Sequence, residues 1–91
     1  MKSELDNLSL KISPNPAYDN IEISLTTNDC SSSNLKIYDL SGRMVQDLSQ
    51  NLINFNSQSL KVNLSNLSNG EYTIILNCGN LKVSEKLIIL K

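Results

Sequence analysis

The sequence predicts an all-β domain, an antiparallel sandwich of about seven strands, and three observations carry that prediction. Apolar residues recur with period two almost throughout, the signature of strands with one face inward and one outward. Turn formers separate these runs at intervals of roughly 8–12 residues, the spacing of an all-β sandwich. Asn and Ser make up about 30% of the chain, and both compete with helix by bonding to the backbone. A chain of 91 residues is one domain, and at this size folding buries only about 60–65% of the unfolded surface. The core is therefore two thin packed layers, immunoglobulin-like in kind.

Each element follows from its residues. Leu8, Leu10 and Ile12 alternate with Ser9 and Lys11, predicting a first strand near 8–12. Ser13-Pro14-Asn15-Pro16 ends it, because each Pro fixes φ and lacks an amide donor. Ile21, Ile23 and Leu25 alternate with Glu22, Ser24 and Thr26 to give a second strand, 20–26. A polar loop, Asn28 to Asn34, precedes a third strand, 34–39, with Leu35 and Ile37 flanking Lys36. Asp39-Leu40-Ser41-Gly42 reads as a tight turn into a fourth, 43–48. Leu48 to Ser59 lacks clean periodicity; beyond it Val62 and Leu64 mark a fifth strand, 60–64. Leu64 and Leu67 are expected to point inward from a compact turn that closes with Asn69-Gly70, residues that tolerate positive φ. Tyr72, Ile74 and Leu76 define a sixth strand, 71–77, and Tyr72 is expected to bury its ring with its hydroxyl bonded. Asn77-Cys78-Gly79-Asn80 then connects to a seventh, 81–90, which ends in the apolar run Leu87-Ile88-Ile89-Leu90.

Composition excludes most chemistry. The chain has no His, no Trp and one Arg, Arg43. The commonest general base is absent, and with it Ser-His and Cys-His nucleophile pairs. Two Cys far apart and no His do not supply a zinc site. Three glycines, Gly42, Gly70 and Gly79, are too dispersed to cradle a phosphate. No catalytic residue, metal or cofactor is expected. Eight basic residues are scattered among nine acidic ones for a net charge of −1, so neither nucleic acid nor an anionic membrane finds a positive stripe. The first seven residues carry no apolar segment, and no apolar run reaches the 18 or so residues that span a bilayer. The sequence is therefore expected to lack its own signal peptide and to be a piece of a longer exported protein, unless it works in the cytoplasm.

The remaining candidates are few. If successive strands alternate in direction, Cys30 and Cys78 follow parallel strands at one end of the sandwich. They form a candidate disulfide, which requires an oxidising compartment; two inert apolar thiols are the alternative. Asp29, Asp39, Asp47 and Glu71 lack calcium-ligand spacing and read as solvated loop charges. Asn7-Leu8-Ser9, Asn63-Leu64-Ser65 and Asn66-Leu67-Ser68 match the glycosylation pattern, as chance allows in an Asn- and Ser-rich chain. Tyr18, Tyr38, Tyr72 and Phe55 would make a sugar-stacking platform only by sharing one exposed face, and of these Tyr38 looks outward by parity with Ile37.

The order of four motifs carries a resemblance. Leu10-Lys11-Ile12-Ser13-Pro14-Asn15-Pro16-Ala17, followed by Asp19-Asn20-Ile21-Glu22-Ile23, resembles the opening "PNPA" segment of type IX secretion system C-terminal sorting domains. Leu35-Lys36-Ile37-Tyr38-Asp39-Leu40-Ser41-Gly42-Arg43-Met44-Val45 looks like that family's strand–turn–strand. Val62-Asn63-Leu64-Ser65-Asn66-Leu67-Ser68-Asn69-Gly70-Glu71-Tyr72 is similar to its L-x-x-G-x-Y segment, and Val83 to Lys91 to its terminal strand with a preceding Lys.

The resemblance implies a boundary between a residual linker, 1–7, and a sorting domain, 8–91. It implies recognition of that domain by an outer-membrane translocon after inner-membrane export of a covalently attached upstream cargo protein. It further implies removal by a sortase-like peptidase in the linker, with the cargo left on surface lipopolysaccharide. Lys86, Leu87, Ile88, Ile89, Leu90 and Lys91 map to the family's C-terminal motif, on which export depends. Pro14, Asn15, Pro16, Gly42, Gly70 and Tyr72 map to internal motifs with structural roles. The domain is expected to be a monomer or weak homo-oligomer. A different class of function, an immunoglobulin-like accessory or adhesion module binding carbohydrate or protein, would need an exposed aromatic cluster or charged groove.

Overall fold

The computed structural model describes residues 9–26, 33–51, 57–78 and 81–91. Seven strands run in chain order: β1 (Ser9–Ser13), β2 (Asn20–Thr26), β3 (Ser33–Asp39), β4 (Met44–Asp47), β5 (Ser57–Asn63), β6 (Gly70–Cys78) and β7 (Leu81–Ile89). They form two antiparallel sheets, a three-stranded one ordered β1-β2-β5 and a four-stranded one ordered β4-β3-β6-β7. This is the expected immunoglobulin-like sandwich. β2 keeps its bounds, the start of β5 moves by three residues, and every other strand end that moves does so by one. β5 begins at Ser57 rather than residue 60, because Ser57, Gln58 and Ser59 pair with Thr26, Leu25 and Ser24 of β2. Within the aperiodic stretch before it, Ser49–Asn51 form one 3-10 turn. The expected linker, 1–7, the residues Leu8, Asp29, Cys30 and Phe55, and Gly79-Asn80 lie outside the described residues.

Period two becomes a core. Ile21, Ile23 and Leu25 of β2, with Leu10 and Val62, face Leu35, Ile37, Ile74, Leu76, Leu87 and Ile89 of the other sheet, all buried. Each such side chain contributes about 1.5–3 kcal/mol by leaving water. Leu64 and Leu67 do point inward and plug one end. Tyr72 is buried with them, and its hydroxyl donates to the Ser68 carbonyl at 2.7 Å.

The two outer faces differ in polarity. That of the three-stranded sheet presents Lys11, Asn20, Glu22, Ser24, Ser59, Lys61 and Asn63, polar at every position. That of the four-stranded sheet carries Tyr38, Ile75 and Ile88, each half-buried, among Lys36, Thr73, Lys82 and Lys86.

Candidate functional site

The sequence pointed to the last strand and to Pro14-Asn15-Pro16, and the fold brings these two together. β7 lies at the edge of the four-stranded sheet, bonded to β6 on one side. On its other side the segment between β1 and β2 leaves the three-stranded sheet and crosses to β7. It docks there as a strap, with Ala17 forming a parallel bridge to Ile89. The Ala17 amide donates to the Ile88 carbonyl at 2.7 Å, and its carbonyl accepts from the Leu90 amide at 2.8 Å. The Asn15 carboxamide makes two further bonds: Nδ2 donates to the Lys86 carbonyl at 2.8 Å, and Oδ1 accepts from the Ile88 amide at 3.0 Å.

These four bonds have one geometric meaning. In a parallel ladder, a residue donates to the carbonyl before its opposite number and accepts from the amide after it. Ala17 does this opposite Ile89 with its own backbone. The Asn15 carboxamide does it opposite Leu87, acting as a surrogate peptide group. Here the side chain makes the bonds that the Asn15 backbone would make in a regular ladder, and the flanking proline rings fix φ and with it the chain direction. Both X-Pro bonds, Ser13-Pro14 and Asn15-Pro16, are cis. Ala17 is buried, so a small side chain lets the strap lie close.

The end of the chain is fastened as well. The Lys91 amide donates to Asn69 Oδ1 at 3.0 Å. Lys91 Nζ donates to the carbonyls of Leu64 and Leu67. The Lys86 side chain, by contrast, is exposed and makes a long ion pair with Glu71, 3.9 Å apart. Leu87 and Ile89 are fully buried, Ile88 is half-buried, and Leu90 is 59% exposed. The six terminal residues thus divide into two core anchors and four groups at or near the surface.

Gly42 and Gly70 both take positive φ. Gly42 takes φ +91 and its amide closes the turn on the Asp39 carbonyl at 3.0 Å; Gly70 takes φ +153 where β6 begins. The Asp39 carboxylate organises that turn, accepting from the amides of Ser41 and Arg43 and from the Ser41 hydroxyl. Its pKa lies below the usual value, first through the Ser41 hydroxyl, then through the Arg43 amide. Asp47 is lowered in the same way by the Ser49 side chain and amide.

The other candidates disperse. No group of His, Cys, Asp or Glu among the described residues could hold a metal. An open cleft at one end lies between Asp39–Ser41 and Asn66–Tyr72, but its only aromatic hydroxyl is already committed to Ser68. Tyr18 is exposed on the strap side, Tyr38 sits on the outer sheet face and Tyr72 is buried, so these three form no platform. Cys78 is disulfide-bonded; Cys30 lies outside the described residues. Sequence reasoning missed the role of Asn15 as a ladder group; the flanking prolines mark an interruption between strands but do not show that the Asn15 side chain reaches β7.

Comparison with known proteins gives concordant results. No curated protein matches the chain. Among solved structures it is similar to part of dimeric latent PorU from Porphyromonas gingivalis, with a TM-score of 0.65 and 21% identity. That match covers 91% of this chain and 9% of the PorU chain, which establishes likeness of fold. The family model of the secretion system C-terminal sorting domain matches residues 11–90. From Lys11 in β1 to Leu90, the chain belongs to the family of C-terminal sorting domains of type IX secretion.

Proposed function

We propose that the outer-membrane translocon reads this secretion signal as a folded unit, through a surface that includes the terminal strand Lys86–Lys91. One observation supports the reading above the others. The strand's last residues are clamped by Asn15, Ala17, Asn69 and the Leu64–Leu67 turn, which holds Lys86, Leu90 and Lys91 in fixed relative positions. A clamped edge strand offers a partner a preorganised surface at low entropic cost. Export to the cell surface or beyond follows from the sorting role. The domain is non-catalytic in this reading. A sortase-like peptidase removes it within the linker 1–7, which lies just ahead of β1, and the upstream cargo is attached to the surface. Cys30 is the disulfide partner of Cys78, consistent with passage through an oxidising compartment.

The test is a periplasm-targeted reporter fused to this domain. Deletion of Lys86–Lys91 should abolish surface delivery. Because that deletion also removes core anchors, a K86E/L90S variant, altered only at exposed side chains, should reduce delivery while the domain stays folded. Undiminished delivery by both would overturn the role of the strand.

A further inference from the structure

The outward edge of β7 is only half occupied. The groups bonded by the strap are the Lys86 carbonyl, both backbone groups of Ile88, and the Leu90 amide. Even-numbered residues of β7 therefore turn their backbone groups away from β6. By the same alternation, the Lys82 carbonyl, the Ser84 amide and carbonyl, and the Lys86 amide also face outward. Among the described residues no strand pairs with them, and β1, which passes beside β7, is bonded to β2 instead. Lys82, Ser84 and Lys86 are all exposed, and their side chains share the outer face of the sheet.

Charge selects the occupant. Lys82 and Lys86 stand on either side of Ser84, about 13 Å apart at the rise of a strand. A second copy adding its own β7 antiparallel about Ser84 would place Lys82 opposite Lys86, twice over. Like charges directly opposite are destabilising, and lysines on an edge are a known guard against self-pairing. A strand carrying carboxylates at alternate positions meets the same lysines with attraction. Glu71, beside Lys86, and Glu85, on the opposite face of β7, are the acidic groups of the strip itself. Only Glu71 competes for a lysine, through the long exposed pair already described.

We propose that the free edge from Lys82 to Lys86 is a docking strip for a short extended segment with acidic residues at alternate positions. The segment adds to the four-stranded sheet next to the strap. It makes up to four backbone hydrogen bonds, and the strap limits the addition to the N-terminal half of β7. The strip deepens the recognition reading above by naming the chemistry of a partner, and it rests on that reading only for the partner's location.

The probe is an acetylated, amidated Asp-Val-Asp-Val-Asp peptide, compared with its Lys-Val-Lys-Val-Lys counterpart. At low salt the acidic peptide should bind at least ten-fold more tightly, slow hydrogen exchange at the Ser84 and Lys86 amides, and weaken as salt rises. Ser84→Pro removes an amide that faces outward and so spares the β6 ladder; it should abolish binding with the melting temperature little changed. K82E/K86E, altered only at exposed side chains, should reverse the preference. Equal binding of the two peptides, or protection elsewhere than on β7, would overturn the strip. Failure of peptide binding with reporter export intact removes the strip and leaves the sorting role. Intact peptide binding with failed export does the reverse.

Discussion

The Lys91 ammonium lies 2.7 Å from the Leu67 carbonyl oxygen, so the last side chain closes the turn that plugs the sandwich. It also reaches the Leu64 carbonyl at 3.2 Å. K91M keeps the aliphatic stem and loses both donors. It should cost about 1–2 kcal/mol, since hydrogen bonds to charged groups are worth more than neutral ones. Chemical denaturation measures the change, and an unchanged midpoint would reduce the contact to ornament.

Asn15 makes a prediction with two arms. N15A deletes both bonds to β7 and should cost about 1–2 kcal/mol, with faster exchange of the Ile88 amide. N15D keeps the acceptor for Ile88 but sets a carboxylate against the Lys86 carbonyl. It should therefore be destabilised at neutral pH and recover part of the loss when acid protonates the new carboxyl and restores a donor. Equal loss at all pH values would contradict the surrogate-peptide geometry.

Gly70 holds φ +153 while open space surrounds the position, its nearest neighbour to an added Cβ being Tyr72 Cε1 at 3.9 Å. The cost of G70A is then a backbone cost, about 1–3 kcal/mol. Y72F, which loses only the bond to Ser68, should cost about 1 kcal/mol. Thermal melts of the two variants should rank them in that order.

Asp39 and Asp47 both have lowered folded pKa values. A depressed carboxyl stabilises the fold above its unfolded pKa, here near 3.8, and loses that contribution as pH falls through the lower folded value. Stability should thus be flat above about pH 5 and decline below pH 4. Titrating stability in D39N should show a smaller decline than in the parent; an equal decline would move the effect to other carboxyls.

Cys78 is disulfide-bonded, and with Cys30 as its partner the unreduced protein should show no free thiol. Reduction should cost about 3–4 kcal/mol through the long loop released. Two titratable thiols would refute the pairing.

Much of the fold was legible because period two survives wherever a strand covers a core on one side. β2, and β6 from Glu71 onward, are the clearest cases, with buried and less buried residues in alternation. β5 was read short because Ser57 to Ser59 carry no apolar signal; their place in the ladder is set by pairing with β2, a tertiary fact. The site was legible in part. Leu87 to Leu90 announced a strand, but which of its edges was free depended on the strap, which joins residues 71 and 73 positions apart. Neither local propensity nor periodicity reports contacts of that range. Asn15 and Ile88 carry no mark in sequence that assigns them to each other.

The strap also fixes the order of events at biosynthesis. Asn15 is made before β7, and the carbonyl and amide it requires belong to Lys86 and Ile88, 71 and 73 positions later. Until those residues have been made, the Asn15 carboxamide has neither of its β7 partners. A chain truncated before β7 cannot form the clasp. The surface that would be read for export therefore exists only after the residues of β7 have been made.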